Sequence, residues 1–163
     1  CRLYDSSHQH LTDYKLTSAP YSVCVVEGTQ VAVTLPIENK IQLLTVDSYI
    51  QPGGIINMSL SCHGIAVLSN DQLVVCGLRN GSLYWCIISM DGSEKFSVEV
   101  CRSHWYSHLA VNSKKTLIYV SYYKHSAAVY AYSVNGTLIF RYEHKALDGA
   151  HGLAVDREDN LYV

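Results

Sequence analysis

Charge is scarce in this 163-residue chain: charged residues make up 16% of it and hydrophobic residues 48%. That balance excludes intrinsic disorder, because disordered chains are poor in apolar residues and rich in charge. No apolar run reaches the roughly 18 residues of a membrane-spanning helix, and the chain opens on Cys1 without a signal-peptide pattern. Acidic residues (14) outnumber basic ones (12), which argues against a dedicated nucleic-acid-binding protein. The length fits one domain with a real core.

Sustained helical periodicity is missing as well. The apolar runs are about 4–8 residues long and end at turn dipeptides. Proline (3) and phenylalanine (2) are rare, whereas tyrosine, a strand-favouring residue, occurs 13 times. The composition predicts an all-β chain, with turns at Asn80-Gly81, Asp91-Gly92 and Asn135-Gly136.

The six cysteines include no CxxC pair, so zinc-finger spacing is absent. Most of them lie inside apolar runs, where a free thiol behaves as a small hydrophobic residue. We therefore predict six unbridged thiols in a reducing compartment, with a disulfide framework as the alternative. A hairpin turning at Asn80-Gly81 places Cys76 opposite Trp85 and Val75 opposite Cys86, so that the two thiols are not directly paired.

An internal repeat runs through the whole chain. Four similar apolar triplets are centred on Cys24, Ala66, Ala110 and Ala154, at spacings of 42, 44 and 44 residues. A second set of residues, each of which follows an apolar run and begins a turn, has the same three spacings: Asp5, Asp47, Asp91 and Asn135. Two independent features in one register indicate a true repeat.

Each repeat contains four short strands, and a repeat of about 40–45 residues with four strands is typical of a β-propeller blade. In the second repeat the predicted strands are Gly64 to Leu68, Gln72 to Leu78, Ser82 to Ser89 and Lys95 to Arg102. The expected divisions are the end of a blade (1–20), three full blades (21–62, 63–106 and 107–150) and the start of a blade (151–163). We expect a fragment of a larger propeller, with a closed four-bladed ring as the alternative.

Two stretches near the chain end carry a family resemblance: His151-Gly152-Leu153-Ala154-Val155-Asp156 and Asp159-Asn160-Leu161-Tyr162-Val163. They resemble the NHL-repeat signature, and the segment from His63 to Val67 is a looser copy. The other blades depart from the pattern, since Val26, Leu68 and Asn112 replace the aspartate at the position of Asp156. The blades look like the C-terminal propellers of tripartite-motif and B-box proteins of the invertebrate type.

That resemblance implies a cytoplasmic recognition module, which selects substrates for a ubiquitin ligase. The RING and B-box half of such a protein is not in this sequence, and neither are the remaining blades.

No catalytic pattern is found, because GxSxG, HExxH, P-loop and GxGxxG sequences are all missing. We therefore predict a non-enzymatic chain without a cofactor or metal. His63 and His151 share one repeat position, where a ring of imidazoles would suit a divalent ion. A structural role in the turn before the strand is the favoured interpretation, and a metal-dependent, lactonase-type hydrolase is the least favoured function.

One face of the predicted propeller is aromatic, rich in histidine and mildly basic. It is formed by the loops between second and third strands and by the crossings between blades. Exposed tryptophan, tyrosine and arginine dominate interface energetics, so we predict a protein-binding face. Single-stranded RNA is the alternative ligand. The candidate contact residues are Arg79, Trp105, Tyr106, Lys124, His63 and His151.

Overall fold

The computed structural model describes residues 1–102, 107–122, 128–144, 147, 150 and 152–163. This part of the chain is all-β, as predicted, with one short 3-10 turn at Pro36–Glu38 that the sequence did not indicate. No described segment forms a helix that is long and apolar enough to cross a membrane. The strands are β1 (Arg2–Tyr4), β2 (His10–Asp13), β3 (Val23–Glu27), β4 (Gln30–Leu35), β5 (Lys40–Val46), β6 (Ile50–Asn57), β7 (Ser61–Ser69), β8 (Gln72–Arg79), β9 (Ser82–Ser89), β10 (Glu94–Arg102), β11 (Ser107–Val111), β12 (Leu117–Tyr122), β13 (Ala128–Ser133), β14 (Leu138–Glu143), β15 (Ala154–Val155) and β16 (Leu161–Tyr162).

Three four-stranded antiparallel sheets follow one another in chain order: β3 to β6, β7 to β10, and β11 to β14. The first strands β3, β7 and β11 contact one another in sequence, which places them innermost, around a common axis. The fourth strand β14 is exposed along its whole length. This arrangement is that of successive propeller blades. Strand β7 begins at Ser61, two residues before the predicted start of its blade.

The register of the strands repeats from blade to blade. In each full blade, the central residue of the inner strand lies opposite a residue of the second strand. That residue lies opposite a residue of the third strand, which comes four positions before the residue that begins the next turn (Asp47, Asp91 or Asn135). These pairings are Cys24 with Ala32 and Leu43, Ala66 with Val74 and Ile87, and Ala110 with Tyr119 and Ala131. The repeat found in the sequence is thus a repeat of hydrogen-bonded register.

Apolar side chains fill the two seams between full blades. Between the first and second blades lie Ile41, Ile56, Leu73 and Ile88, among others. Between the second and third blades, Trp85 is completely buried. Such seams bury both faces of the middle strands, which explains why these strands are apolar at nearly every position rather than at alternate ones.

All six cysteines are free thiols. The pairing of Cys76 with Trp85 and of Val75 with Cys86 is the predicted one. Because successive residues of a strand point to opposite faces, Cys76 and Cys86 lie on different faces of the sheet and cannot bridge. Burial raises the pKa of Cys62 and Cys76 to about 11, so these thiols stay protonated near neutral pH.

The two ends of the chain form separate two-stranded sheets, β1 with β2 and β15 with β16. By repeat position, β1 and β2 are a third and a fourth strand, whereas β15 and β16 are a first and a second strand. The two pairs are not joined, so the closed four-bladed ring, the alternative drawn from the sequence, does not form in this structure.

Candidate functional site

Three aromatic rings meet near the axis, at the end where the inner strands begin. Tyr21 lies just before β3, His63 lies in β7, and His108 lies in β11. The Tyr21 ring is 5.1 Å from the His63 ring and 4.9 Å from the His108 ring, between centroids. The Tyr21 hydroxyl and His108 Nε2 are 2.8 Å apart, within hydrogen-bond distance. We call these three residues the axial cluster; it connects three successive blades.

The backbone around the axial cluster is fixed by Thr34 in β4. The Tyr21 amide donates to the Thr34 carbonyl at 3.1 Å. The buried Thr34 hydroxyl donates to the His63 carbonyl at 2.7 Å, and it accepts from the Ser22 amide at 2.9 Å. One threonine thus ties the first blade to the inner strand of the second. The axial cluster is therefore organised before any ligand binds.

His63 is only 2% exposed. Its burial, followed by the nearby His108, lowers the pKa of His63 to about 4, so that the ring is neutral at pH 7. The structure corrects the prediction that His63 is a contact residue, because a side chain with almost no exposed surface cannot touch a partner. A structural role, as the sequence favoured, is closer to what is found, although His63 lies within β7 rather than in the turn before it.

The burial of His63 predicts a pH-dependent stability. Its folded pKa lies below the unfolded value of about 6.5, so the unfolded state binds more protons between these two values. The contribution of His63 to the free energy of unfolding is complete above about pH 6.5. It is lost as the pH falls towards 4, and the whole loss is about 3 kcal/mol. Urea unfolding between pH 5 and 7 is expected to show stability rising with pH, and a His63→Gln variant is expected to show a flatter profile.

A change at the exposed Gln9, which carries no titratable group, provides the control. A Gln9→Ala variant should keep the slope of the parent chain. Equal slopes for the parent and His63→Gln would contradict the assignment.

The side chain of Arg79, at the end of β8, is partly buried and is paired with other side chains of the same protein. Its guanidinium forms an ion pair with Glu94 and donates to the Ser59 hydroxyl at 2.9 Å. It also lies over the Tyr84 ring, 5.1 Å from the centroid, and the Tyr84 hydroxyl donates to Glu99 at 3.0 Å. The charge of Arg79 is therefore largely satisfied within its own domain, a role that the sequence did not predict.

Four of the predicted contact residues, Trp105, Tyr106, Lys124 and His151, lie outside the described residues. Their predicted convergence beside Arg79 stays a prediction.

Ile37, which was not predicted from the sequence, is 80% exposed in the turn between β4 and β5. This turn occupies the same place in its blade as the Arg79–Asn80 turn does in the next. Glu38 fixes it by accepting from the Thr17 hydroxyl at 2.6 Å and from Lys40 at 3.1 Å. Hydrogen bonds from Thr17, Ser18 and Lys40 lower the pKa of Glu38 to about 2. The signal in the sequence was an isoleucine within an otherwise polar turn.

The turn that carries Ile37 is also attached to the second blade, because the Ser61 hydroxyl donates to the Pro36 carbonyl at 3.0 Å. Ile37 is thus a rigidly presented apolar side chain at the same end of the blades as the axial cluster. Within the described ranges, no group of three histidine, cysteine, aspartate or glutamate side chains is arranged to hold a metal ion. This end of the arc offers apolar and hydrogen-bonding contacts.

No protein-family model matches the chain, and no curated protein matches it by sequence. Solved structures do match in fold. A protein from Lactobacillus plantarum aligns with a TM-score of 0.69 at 12% identity, over 97% of this chain and 54% of its own. Virginiamycin B lyase from Staphylococcus aureus aligns with a TM-score of 0.69 at 16% identity, over 98% and 54%. A functionally unknown protein from Desulfotomaculum acetoxidans DSM 771 aligns with a TM-score of 0.65 at 12% identity, over 97% and 55%.

At these identities the likeness shows the fold alone. The chain spans just over half the length of each of these proteins. The sequence resemblance to NHL repeats and tripartite-motif proteins stays a prediction, since no family match supports it. The four-stranded antiparallel sheets and the propeller-like neighbours together identify the chain as an arc of a β-propeller.

Proposed function

We propose that this arc is a non-catalytic recognition platform that binds a protein partner. The observation that carries the proposal is Ile37, an exposed apolar side chain on a turn held by Glu38 and Ser61. A rigid apolar anchor loses little entropy on binding, which favours affinity. The NHL-like sequence pattern supports the finer proposal that the platform selects substrates for a cytoplasmic ubiquitin ligase of the tripartite-motif type.

Two cationic side chains on this face are already paired with carboxylates, which favours a protein partner over single-stranded RNA. Arg79 is paired with Glu94, and Lys40 is paired with Glu38. RNA binding needs cations that are available to phosphates, and these two already face carboxylates. The chain as a whole carries a net charge of −2. These features suit a partner recognised through apolar and hydrogen-bonding contacts.

Ile37→Asp tests the platform. A contact residue of this kind contributes about 2 kcal/mol at an interface, so we expect roughly 30-fold weaker retention of the protein captured from cell lysate by the parent chain. The thermal melting midpoint should not change, because Ile37 packs against little. Tyr49→Asp, at an exposed apolar residue in the turn between β5 and β6 on the other face, is the matched control and should bind like the parent.

Trp105→Ala is the second arm of this experiment. It should weaken binding with unchanged melting if Trp105 contacts the partner, and lower the melting midpoint if the ring packs between blades. Equal capture by Ile37→Asp and the parent would overturn the platform. Retention of a labelled oligouridylate that falls steeply with salt would replace protein by RNA as the ligand.

A further inference from the structure

The turn between β13 and β14 contains an Asn-Gly pair, Asn135-Gly136, in which the asparagine is exposed. Its side-chain carbonyl oxygen accepts hydrogen bonds from the hydroxyls of Ser133 and Thr137. Hydroxyl donors polarise a carbonyl group and stabilise the negative charge that develops on its oxygen during nucleophilic attack. The Cγ atom of Asn135 is therefore activated towards a nucleophile.

The nucleophile that can reach this carbon is the backbone nitrogen of Gly136, which closes a five-membered ring when it attacks Asn135 Cγ. Glycine has no side chain to hinder the approach, and a reactant held in the same chain has the advantage of proximity. The Gly136 amide donates to the Ser133 carbonyl at 2.9 Å, so the turn must open at this bond before the attack. An exposed turn opens at little cost in free energy.

The position of Asn135 is an aspartate in each of the three preceding repeats: Asp5, Asp47 and Asp91. The turn at Asp91 has the same shape as the turn at Asn135. Gly92 and Gly136 share a φ of 88°, and each donates to the carbonyl of a serine at 2.9 Å. Asp91 is exposed as well, in a blade that packs against a full blade on each side. A carboxylate at position 135 therefore suits this turn.

The Asp91 turn also shows which hydrogen bonds such a carboxylate forms. Asp91 Oδ1 accepts from the amide of Ser93 at 2.9 Å and from its hydroxyl at 2.7 Å. In the Asn135 turn, the equivalent amide of Thr137 donates instead to the Ser133 hydroxyl at 3.1 Å. A carboxylate at position 135 would accept from this amide directly, so we expect it to hold the turn as well as the carboxamide does.

We propose that Asn135 is a site of spontaneous deamidation, with water as the co-reactant. The Gly136 nitrogen attacks Asn135 Cγ and forms a bond to it, the bond from Cγ to Nδ2 breaks, and ammonia leaves with the proton of the Gly136 amide. Water then opens the succinimide ring at one of its two carbonyls, which gives aspartate or isoaspartate, and no atom is oxidised or reduced. The inference goes beyond the proposed function and does not depend on it.

The two products differ in their effect on packing. Gly136 lies against β10 of the second blade, since an added Cβ would be 2.5 Å from Phe96 Cζ and 3.1 Å from Val98 Cγ2. Aspartate leaves the main chain unchanged and adds one negative charge to a chain whose net charge is −2. Isoaspartate inserts a methylene group into the main chain beside the Phe96 ring, so we expect it to loosen the contact between this turn and the second blade.

Peptide mass mapping of the purified chain, sampled during storage in neutral buffer, tests the site. Trypsin separates the two Asn-Gly pairs into peptides 80–95 and 125–141. We expect the mass shift of amide-to-acid conversion in peptide 125–141, at least about tenfold faster than in peptide 80–95. The reason is that, within the described ranges, no group donates a hydrogen bond to the Asn80 side chain. In heavy-oxygen water, the shifted peptide should carry one oxygen atom from the solvent.

Two variants separate the activation from the fit of the product. Ser133→Ala removes one hydroxyl donor and is expected to slow the conversion about three- to tenfold, the effect of one hydrogen bond of ordinary strength. Asn135→Asp is the matched product, and it should keep the melting midpoint of the parent chain. Stored parent chain that is labelled by an isoaspartate-specific methyltransferase on peptide 125–141 should melt below fresh chain.

Three results would overturn the proposal. They are a conversion in peptide 125–141 that is no faster than in peptide 80–95, a Ser133→Ala variant that converts at or above the parent rate, and an Asn135→Asp variant that melts below the parent chain.

Discussion

Trp85→Ala is expected to lower the free energy of unfolding by about 3–5 kcal/mol, the range for truncating a buried large aromatic residue. Trp85 is completely buried in the seam between the second and third blades. Its ring lies 5.6 Å from those of Tyr132 and Phe96, between centroids. The cavity would therefore open between two blades rather than inside one. Urea unfolding followed by circular dichroism measures the loss.

Trp85→Phe is the matched control. Trp85 Nε1 has no hydrogen-bond partner within the described residues, and phenylalanine removes this buried donor while it keeps a ring in the seam. The cost of a buried unpaired donor is about 1–3 kcal/mol, which offsets part of the lost volume. We expect Trp85→Phe to remain within about 1.5 kcal/mol of the parent. A loss below about 1 kcal/mol for Trp85→Ala would contradict the seam.

Gly77→Ala is the second change with a large expected effect. Gly77 lies in β8, opposite Cys62 in β7. An added Cβ would lie 2.0 Å from the Ser61 carbonyl oxygen and 2.6 Å from Leu60 Cδ1. The carbonyl belongs to the paired inner strand, so relief requires β7 and β8 to separate. We expect a loss at or above the upper end of the usual overpacking cost of about 1–3 kcal/mol.

Gly152→Ala is the control for replacing a glycine, because no atom of the described residues lies within 4 Å of a Cβ added there. Its unfolding midpoint should equal that of the parent chain. A Gly77→Ala variant that unfolds at the same urea concentration as Gly152→Ala would show that the β7–β8 approach is looser than described.

The blade architecture was predictable because it depends on local signals that repeat. Asn80 and Gly81 both adopt positive φ angles, as a two-residue hairpin turn of type I′ requires. That turn fixes the β8–β9 register, and with it the position of Cys76 opposite Trp85. Turn chemistry and strand spacing lie within a few residues of each other, so a single sequence contains them.

Asn112 replaces the aspartate of the NHL-like pattern, yet its side chain has the same role in the turn as that of Asp156. Asn112 Oδ1 accepts from the amides of Thr116 and Leu117, both at 2.8 Å. Asp156 Oδ1 closes its own turn by accepting from the amide of Asn160 at 2.8 Å. Either side chain supplies the acceptor oxygen that the turn needs. This equivalence follows from the chemistry of the side chains and was not drawn from the sequence.

The site was less predictable than the fold, because its contacts join residues that are far apart in the chain. The partner of Arg79 is Glu94, on another strand, and nothing in the sequence between them indicates the ion pair. Repeat position placed His63 in the turn just before an inner strand, whereas the residue lies within β7, and it did not reveal that neighbouring blades would bury the ring. Burial depends on how blades pack together, which a repeat pattern does not contain.

The hydrogen bond between Tyr21 and His108 joins residues 87 positions apart, from the first blade to the third, past the blade between them. It connects the inner ends of the first and third blades directly, without passing through the second. Any splaying of the first blade away from the third must break this bond, even when both seams stay intact. The three blades are therefore expected to flex as one piece rather than as two hinged pairs, with the opening angle set at the axis.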